Sequence, residues 1–399
     1  MENQKSFIQP ADRIASFKPY FFASLAVKIN ELKSSGKDVI RIDIGSPDLP
    51  PTEKIIDSLI QSAKKSDTHG YTPNGGTNAF RQAIATYYEN RFNVKLNPSK
   101  ETLGLIGSKE GLFNLSQVLL NPGDLTLVPD PGYPVYKAGS VIAGAEVHDM
   151  PLLFENGFLP DLDAIPESVA RKAKIIWLNY PNNPTGAVAD LSFFEKAISF
   201  ARKYDIVIAH DAPYVDVCFD GYRAPSILEL PGAIDVTVEF NSLSKTYNMA
   251  GWRLGMAVGN PEIINYLSTY KSQMDTSHFA PIFDAGITAL TGDQCWLNER
   301  NHIYKERRDI VLNGLREAGF PVETPPAAIY VWAQLPSGET NSMDFCTRML
   351  EEAGVSTTPG IVYGNFGEGY LRISLGTKTN RIQEAMDRIV KWMKEKPRK

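Results

Sequence analysis

Lys245 stands in the run Ser242-Leu243-Ser244-Lys245, with Arg253 shortly beyond it. A lysine amine near a second fixed cation gives up its proton more easily and can serve as nucleophile or base. Asp211 follows the apolar run Ile206-Val207-Ile208-Ala209 after a single histidine, His210. A carboxylate at the end of a strand that reads as buried needs a cationic partner, and a protonated pyridine nitrogen suits it. Asn183 and Tyr214 offer donors to a phenolate oxygen, and Tyr133 offers a flat face on which an aromatic ring can stack. Ser108 opens a helical stretch whose first N–H groups favour an anion. Ser242, Ser244 and the planar fork of Arg253 add the donors that a phosphate dianion calls for. Any one of these residues alone reads as a turn or a surface side chain. The set gains meaning from its placement.

That placement depends on the elements that carry it. Short apolar runs at 103–106, 125–128, 175–178, 206–209 and 236–240 read as strands. Residues 110–120, 137–143 and 191–204 read as helices. Continuous apolar strands alternating with helices predict a mostly parallel sheet buried on both faces. Each strand runs into a polar cluster rich in Gly, Pro, Ser or Asn, and in an open parallel sheet those ends share one edge, where ligands bind. Downstream, a charge-rich helical stretch over 293–316 precedes a strand at 330–334, a helix at 342–352, a strand at 369–375 and a helix at 379–394. This predicts a smaller α+β lobe. The expected division is a large domain over 47–288 and a discontinuous small domain over 10–46 and 289–399.

Composition narrows the function classes. The 399 residues carry 41 Lys plus Arg against 46 Asp plus Glu, a net charge of −5, which argues against a basic nucleic-acid binder. A 43% hydrophobic share with 22% charged residues fits a soluble globular chain with a sizeable core. Three scattered cysteines, Cys218, Cys295 and Cys346, give neither a disulfide framework nor a CxxC zinc site, and the five histidines show no HExxH spacing. With no apolar leader at the start and no long apolar run, the expected location is the cytoplasm. Gly104-Leu105-Ile106-Gly107-Ser108-Lys109 lacks the spacing of a Walker A loop, and Gly364-Asn365-Phe366-Gly367-Glu368-Gly369 lacks that of GxGxxG, so it reads as a loop before a strand.

Several motifs together resemble the class I/II, fold-type I, aminotransferases that use pyridoxal 5′-phosphate. These are Asn183-Pro184-Thr185-Gly186, Asp211-x-x-Tyr214, Ser242-x-Ser244-Lys245 followed by Gly251-Trp252-Arg253-Leu254-Gly255, Tyr71-Thr72-Pro73-Asn74-Gly75-Gly76, and Tyr370-Leu371-Arg372-Ile373-Ser374. The likeness spans nearly the whole chain. It implies an α/β fold of the PLP-transferase type, with a large mostly parallel domain and a smaller α+β one. It implies that Lys245 binds the cofactor as a Schiff base, that Asp211 pairs with its ring nitrogen, and that Asn183 and Tyr214 bind its ring oxygen. Tyr133 stacks on the ring and belongs with Lys245 and Asp211 in the catalytic set. Ser108, Lys109, Ser242, Ser244 and Arg253 hold the phosphate. Tyr71 reaches the phosphate of a neighbouring subunit, which implies a homodimer with shared sites. Arg372 clamps the substrate α-carboxylate with help from Gly45, and Asn183 and Tyr133 also border the substrate.

Within the family, the runs Ile106-Gly107-Ser108-Lys109-Glu110-Gly111, Val128-Pro129-Asp130-Pro131-Gly132-Tyr133 and Ser242-Leu243-Ser244-Lys245-Thr246-Tyr247-Asn248-Met249 resemble the bacterial LL-diaminopimelate aminotransferases of lysine biosynthesis. That likeness adds Lys109 and Tyr20 to the substrate site, with 2-oxoglutarate as acceptor. Two stretches depart from the pattern, Met274-Asp275-Thr276-Ser277-His278-Phe279 and Ala212-Pro213-Tyr214-Val215-Asp216, which leaves aspartate, alanine or aromatic donors open. A C–S β-lyase or decarboxylase on the same scaffold is the nearest rival. A non-catalytic effector module is remote, because no helix-turn-helix pattern precedes Gly45.

Overall fold

The structure is a computed structural model and describes residues 8–15 and 21–395. Seven strands form the central sheet: β2 (Thr102–Ile106), β3 (Leu125–Asp130), β4 (Glu146–Pro151), β5 (Ala173–Asn179), β6 (Val207–Asp211), β7 (Thr237–Ser242) and β8 (Leu254–Gly259), in the order β2-β8-β7-β6-β5-β3-β4. Strand β8 runs antiparallel to both its neighbours, and all other pairings are parallel.

The strands read as continuous apolar runs because both faces are covered. In β5 the side chains alternate. Ile176 and Leu178 pack with Phe80, Tyr88 and Phe194 on one face, and Ile175 and Trp177 pack with Leu112, Leu115 and Tyr136 on the other. The first of these faces is layered by helices Asn78–Phe92, Leu191–Tyr204 and Ala280–Thr291, and the second by Ser108–Leu119, Val135–Ile142 and Pro261–Met274.

The smaller lobe has its own core of Ile40, Ile42, Val311, Leu315, Val331, Phe345, Ile373 and Ile389. Its antiparallel sheet has the order β11 (Thr358–Pro359), β12 (Tyr370–Ser374), β9 (Tyr330–Gln334), and β1 (Ile40–Arg41) pairs in parallel with β10 (Val355–Ser356). Helices Trp296–Glu317, Ser342–Arg348 and Thr379–Glu395 complete it. The two cores meet through directed polar contacts. Asp130, the last residue of β3, accepts from the backbone N–H groups of Asn365 and Phe366, both at 2.9 Å, which anchors the glycine-rich loop before β12. Arg307 grips Asp48 through two hydrogen bonds, of 2.6 and 3.0 Å.

Three local features differ from the sequence reading. The helix expected over 293–316 starts at Trp296, because Asp293 spends its carboxylate on the Cys295 N–H and forms a turn instead. The helix expected over 342–352 is α-helical only to Arg348, widens into a π turn over Met349–Ala353 and stops at left-handed Gly354. Strands β4 and β8 had no clear signal. The first is a polar edge strand, and the second is made largely of small residues inside a glycine motif. Among the described residues, no helix is long and apolar enough to cross a membrane.

Candidate active site

The C-terminal ends of β2, β3, β5, β6 and β7 deliver the five polar clusters to one cavity of about 530 Å³, which side chains of β1, β9 and β12 close from the smaller lobe. All but two of the predicted site residues line it. Tyr71 lies outside it and is 93% exposed, and Tyr20 falls outside the described residues.

One pole is built for an anion. Gly107, with φ 69°, turns the chain from β2 into the helix beginning at Ser108. A Cβ at Gly107 would lie 2.2 Å from the Arg253 guanidinium, so only glycine lets that cation sit against the helix start. Arg253 itself is left-handed (φ 57°) and is braced by the Ala250 carbonyl at 2.8 Å. The Ser242 hydroxyl caps the next short helix, accepting from the Ser244 N–H at 3.2 Å. Two helix starts, three serine hydroxyls and a guanidinium therefore converge on one end of the cavity.

Asp211 lies deeper. Its Oδ2 accepts from the Tyr136 hydroxyl at 2.6 Å, and its Oδ1 is buried with no partner. Burial raises its pKa to about 6, against the pull of the Tyr136 hydrogen bond. An orphaned acidic oxygen beside a cavity is a socket for a cation. His210, the preceding residue, faces away, as strand alternation requires, and bridges Glu239 Oε2 at 2.9 Å and the Tyr180 carbonyl at 3.2 Å. It is a packed, hydrogen-bonded histidine outside the cavity lining.

Between these groups the Lys245 amine donates to the Gly45 carbonyl, with the Tyr214 ring 5.8 Å away. Burial lowers its pKa most, and the cations of Arg372 and Arg253 lower it further. Tyr133 stands at the rim with the Lys109 amine 5.9 Å from its ring centre. Burial, then Arg253, lowers the Lys109 pKa.

The second pole belongs to the smaller lobe. Arg372 on β12 is 3% exposed. Its Nη1 donates to Asn183 Oδ1 and its Nη2 to the Asp43 carbonyl, both at 2.8 Å. Its guanidinium lies 4.2 Å from the ring centre of Tyr330 and 5.0 Å from that of Tyr363. Burial opposes its charge, but the oxygens of the surrounding tyrosines and of Asp43 outweigh that and raise its pKa.

Tyr330 was not a predicted site residue. Its hydroxyl meets that of Tyr214 at 2.7 Å, and it stands 2.3 Å from where a Cβ on Gly45 would be, so the backbone at Gly45 must stay bare. Tyr136 was missed as well. No spacing rule ties a strand aromatic or a first-turn helix tyrosine to a carboxylate far along the chain.

A family model described as aminotransferase class I and II matches residues 37–389. An LL-diaminopimelate aminotransferase of Moorella thermoacetica is 50% identical over 382 residues, covering 96% of this chain and 98% of that protein. One from Syntrophobacter fumaroxidans is 50% identical over 381 residues, covering the same shares. Among solved structures, substrate-bound BacF from Bacillus subtilis superposes with a TM-score of 0.93 at 38% identity, over 96% of this chain and 98% of that one. A single mutant of the aspartate aminotransferase of Thermus thermophilus gives 0.90 at 28% identity, over 96% and 99%.

Proposed function

The chain belongs to the class I and II aminotransferases, enzymes that work with pyridoxal 5′-phosphate, and from that premise we propose that it moves an amino group from LL-2,6-diaminopimelate to 2-oxoglutarate in a homodimer. The observation that carries the reading is the convergence on one cavity of a buried orphan carboxylate oxygen (Asp211), a half-buried lysine (Lys245) and a buried guanidinium (Arg372). The donor is taken from the names of the relatives at half identity or close to it.

The residues present fit the cofactor on chemical grounds. Ser108, Ser242, Ser244, Arg253 and the Lys109 N–H would hold its phosphate. Asp211 would offer Oδ1 to its ring nitrogen, Asn183 and Tyr214 would hold its ring oxygen, and Tyr133 would lie against its ring. Lys245 would anchor it covalently. When bound, pyridoxal phosphate supplies an electron sink for the pair left behind as the donor loses its α-proton.

The chain's own groups do the rest. Arg372, already fixed by Asn183 and Asp43, presents its remaining N–H groups to the α-carboxylate and so sets the direction of the α-C–H bond. Once the incoming amino group has displaced it from its covalent link, Lys245 Nζ, whose proton affinity burial has reduced, takes the α-proton and carries it until it is returned. Water then supplies the carbonyl oxygen of the donor's oxo acid, which leaves while its nitrogen stays in the site, and the acceptor enters the same cavity and meets the same clamp, giving ping-pong kinetics. Tyr71, almost fully exposed on one chain, is the side chain we assign to a neighbouring subunit's phosphate pole.

A donor panel with 2-oxoglutarate as acceptor tests the reading. LL-diaminopimelate should give a kcat/KM well above those of aspartate and alanine. Transfer from alanine or aspartate with none from LL-diaminopimelate would refute the donor assignment and leave the family chemistry standing.

A further inference from the structure

The cavity holds a further guanidinium that the scheme above does not use. Arg41, at the end of β1, lines the cavity with its side chain 27% exposed. It sits in Ile40-Arg41-Ile42-Asp43-Ile44, where Ile40 and Ile42 enter the small-lobe core. The charged residues alternate with them and point the other way. Arg41 binds Asp43 along one side of the guanidinium only, Nε to Oδ1 at 3.1 Å and Nη2 to Oδ2 at 2.6 Å. Asp43 is fully buried, so this pairing neutralises it. The other side of the fork, Nη1 and the second Nη2 hydrogen, is not used by that bond.

Asp43 also ties Arg41 to the substrate clamp, since its carbonyl accepts from Arg372 Nη2 at 2.8 Å. Two guanidiniums thus flank a single residue, one held by its carboxylate and the other by its carbonyl. The same cavity also has apolar lining residues. Ile44 follows Asp43 in the chain, and Phe22 and Ala26 come from the helix Phe21–Ser34, which packs on Val39 through Ile29. A fixed guanidinium in a partly apolar cavity, one residue away from the α-carboxylate clamp, matches a short carbon chain ending in a second carboxylate.

We infer that Arg41 is a specificity residue that binds the distal carboxylate of dicarboxylic substrates, the 2-oxo acid acceptor among them, while Arg372 holds the α-carboxylate. This rests on the aminotransferase reading and on the α-carboxylate role of Arg372, but not on the identity of the donor. Lys109 is the other cation at hand, and the test separates the two.

The measurement is the ratio of kcat/KM for 2-oxoglutarate to that for pyruvate, with one common donor. It is paired with the dissociation constants of glutarate and propionate, read from the absorbance of the bound cofactor. Arg41→Gln combined with Asp43→Asn removes both charges at once and leaves no unpaired buried carboxylate. It should lower the ratio by about 10- to 100-fold, the loss of one charge-assisted pair, and should weaken glutarate far more than propionate. Arg41→Lys keeps a charge on Asp43 but lacks the fork, so it should lower the ratio by less, and it serves if the double variant does not fold. An unchanged ratio in either folded variant, or equal losses for the two acceptors, would overturn the inference. If wild-type enzyme prefers 2-oxoglutarate yet ignores LL-diaminopimelate, the donor assignment falls and the role of Arg41 stands.

Discussion

The two ends of the cavity are built on opposite plans. At the sheet end, Asp211 is buried with a single side-chain donor, Tyr136, and one oxygen left empty. Its pKa of about 6 shows that the folded protein tolerates its charge poorly. At the small-lobe end, Arg372 is as deeply buried and its Nε is likewise left without a partner, yet two oxygen acceptors hold its Nη groups, two tyrosine rings face it, and its charge is stabilised. An end meant for a permanently held cationic group can leave its partner unsatisfied, because the group supplies what is missing. An end proposed to bind and release substrate has to keep its charge stabilised without its ligand, even with Nε left unpaired. On this view the sheet end trades stability for function, and the small-lobe end trades little.

The largest expected effects come from Asp211→Asn, which breaks the contrast from the sheet side. Activity should fall by at least about a thousandfold, since the ring nitrogen loses its anionic partner. The protein without cofactor should become more stable at neutral pH. The sign follows from the raised pKa: the folded-state value, about 6, lies above the usual carboxylate value of 3.8. Stability present at acid pH is therefore lost as pH rises through 6, by up to about 3 kcal/mol. Thermal unfolding of both cofactor-free proteins should show the Asp211→Asn variant melting higher than the parent at pH 7.5, with no such gain at pH 4. Equal melting at both values would mean that Asp211 is not strained.

A smaller effect is expected at the other end. Arg372→Lys loses the two-pronged grip while keeping the charge. It should raise KM for donor and acceptor alike and cut kcat/KM by about 10- to 100-fold, with cofactor affinity unchanged. A weakened hold on the cofactor would show that the two ends are not separate.

The smallest effect is expected where the two ends meet. Tyr330→Phe removes one hydrogen bond to Tyr214 and leaves the ring under Arg372. Steady-state rates should drop only a few-fold, in line with about 1 kcal/mol for a neutral hydrogen bond, and the absorbance of the bound cofactor should titrate at a shifted pH. A hundredfold loss would instead make Tyr330 part of the catalytic machinery.

How much of this was legible in the sequence follows the same divide. The sheet end was readable because each functional residue there lies just after an apolar run, and parallel topology alone brings those ends together. Ser108, Asn183, Asp211 and Lys245 needed no knowledge of distant contacts. Strand β8 was hidden because Leu254-Gly255-Met256-Ala257-Val258-Gly259 carries turn residues where a strand normally carries bulk. The small-lobe end was harder. Arg372 came from a motif, but Tyr330 became visible only when the pairing of β9 with β12 set it beside Arg372. Tyr136 reaches Asp211 across 75 positions, a contact that no local pattern encodes. The alternation Ile40-Arg41-Ile42-Asp43-Ile44 places two charges on one face, but no motif marks them and which cavity they border depends on how the lobes meet.

Whether Lys245 is the covalent anchor of the cofactor can be measured directly. The purified protein is incubated with pyridoxal 5′-phosphate, reduced with borohydride, digested and analysed by peptide mass. The protein should be yellow before reduction, and a phosphopyridoxyl group should be fixed on the peptide bearing Lys245 and on no other at comparable yield. A colourless protein, or a fixed group found only on another lysine, would contradict it.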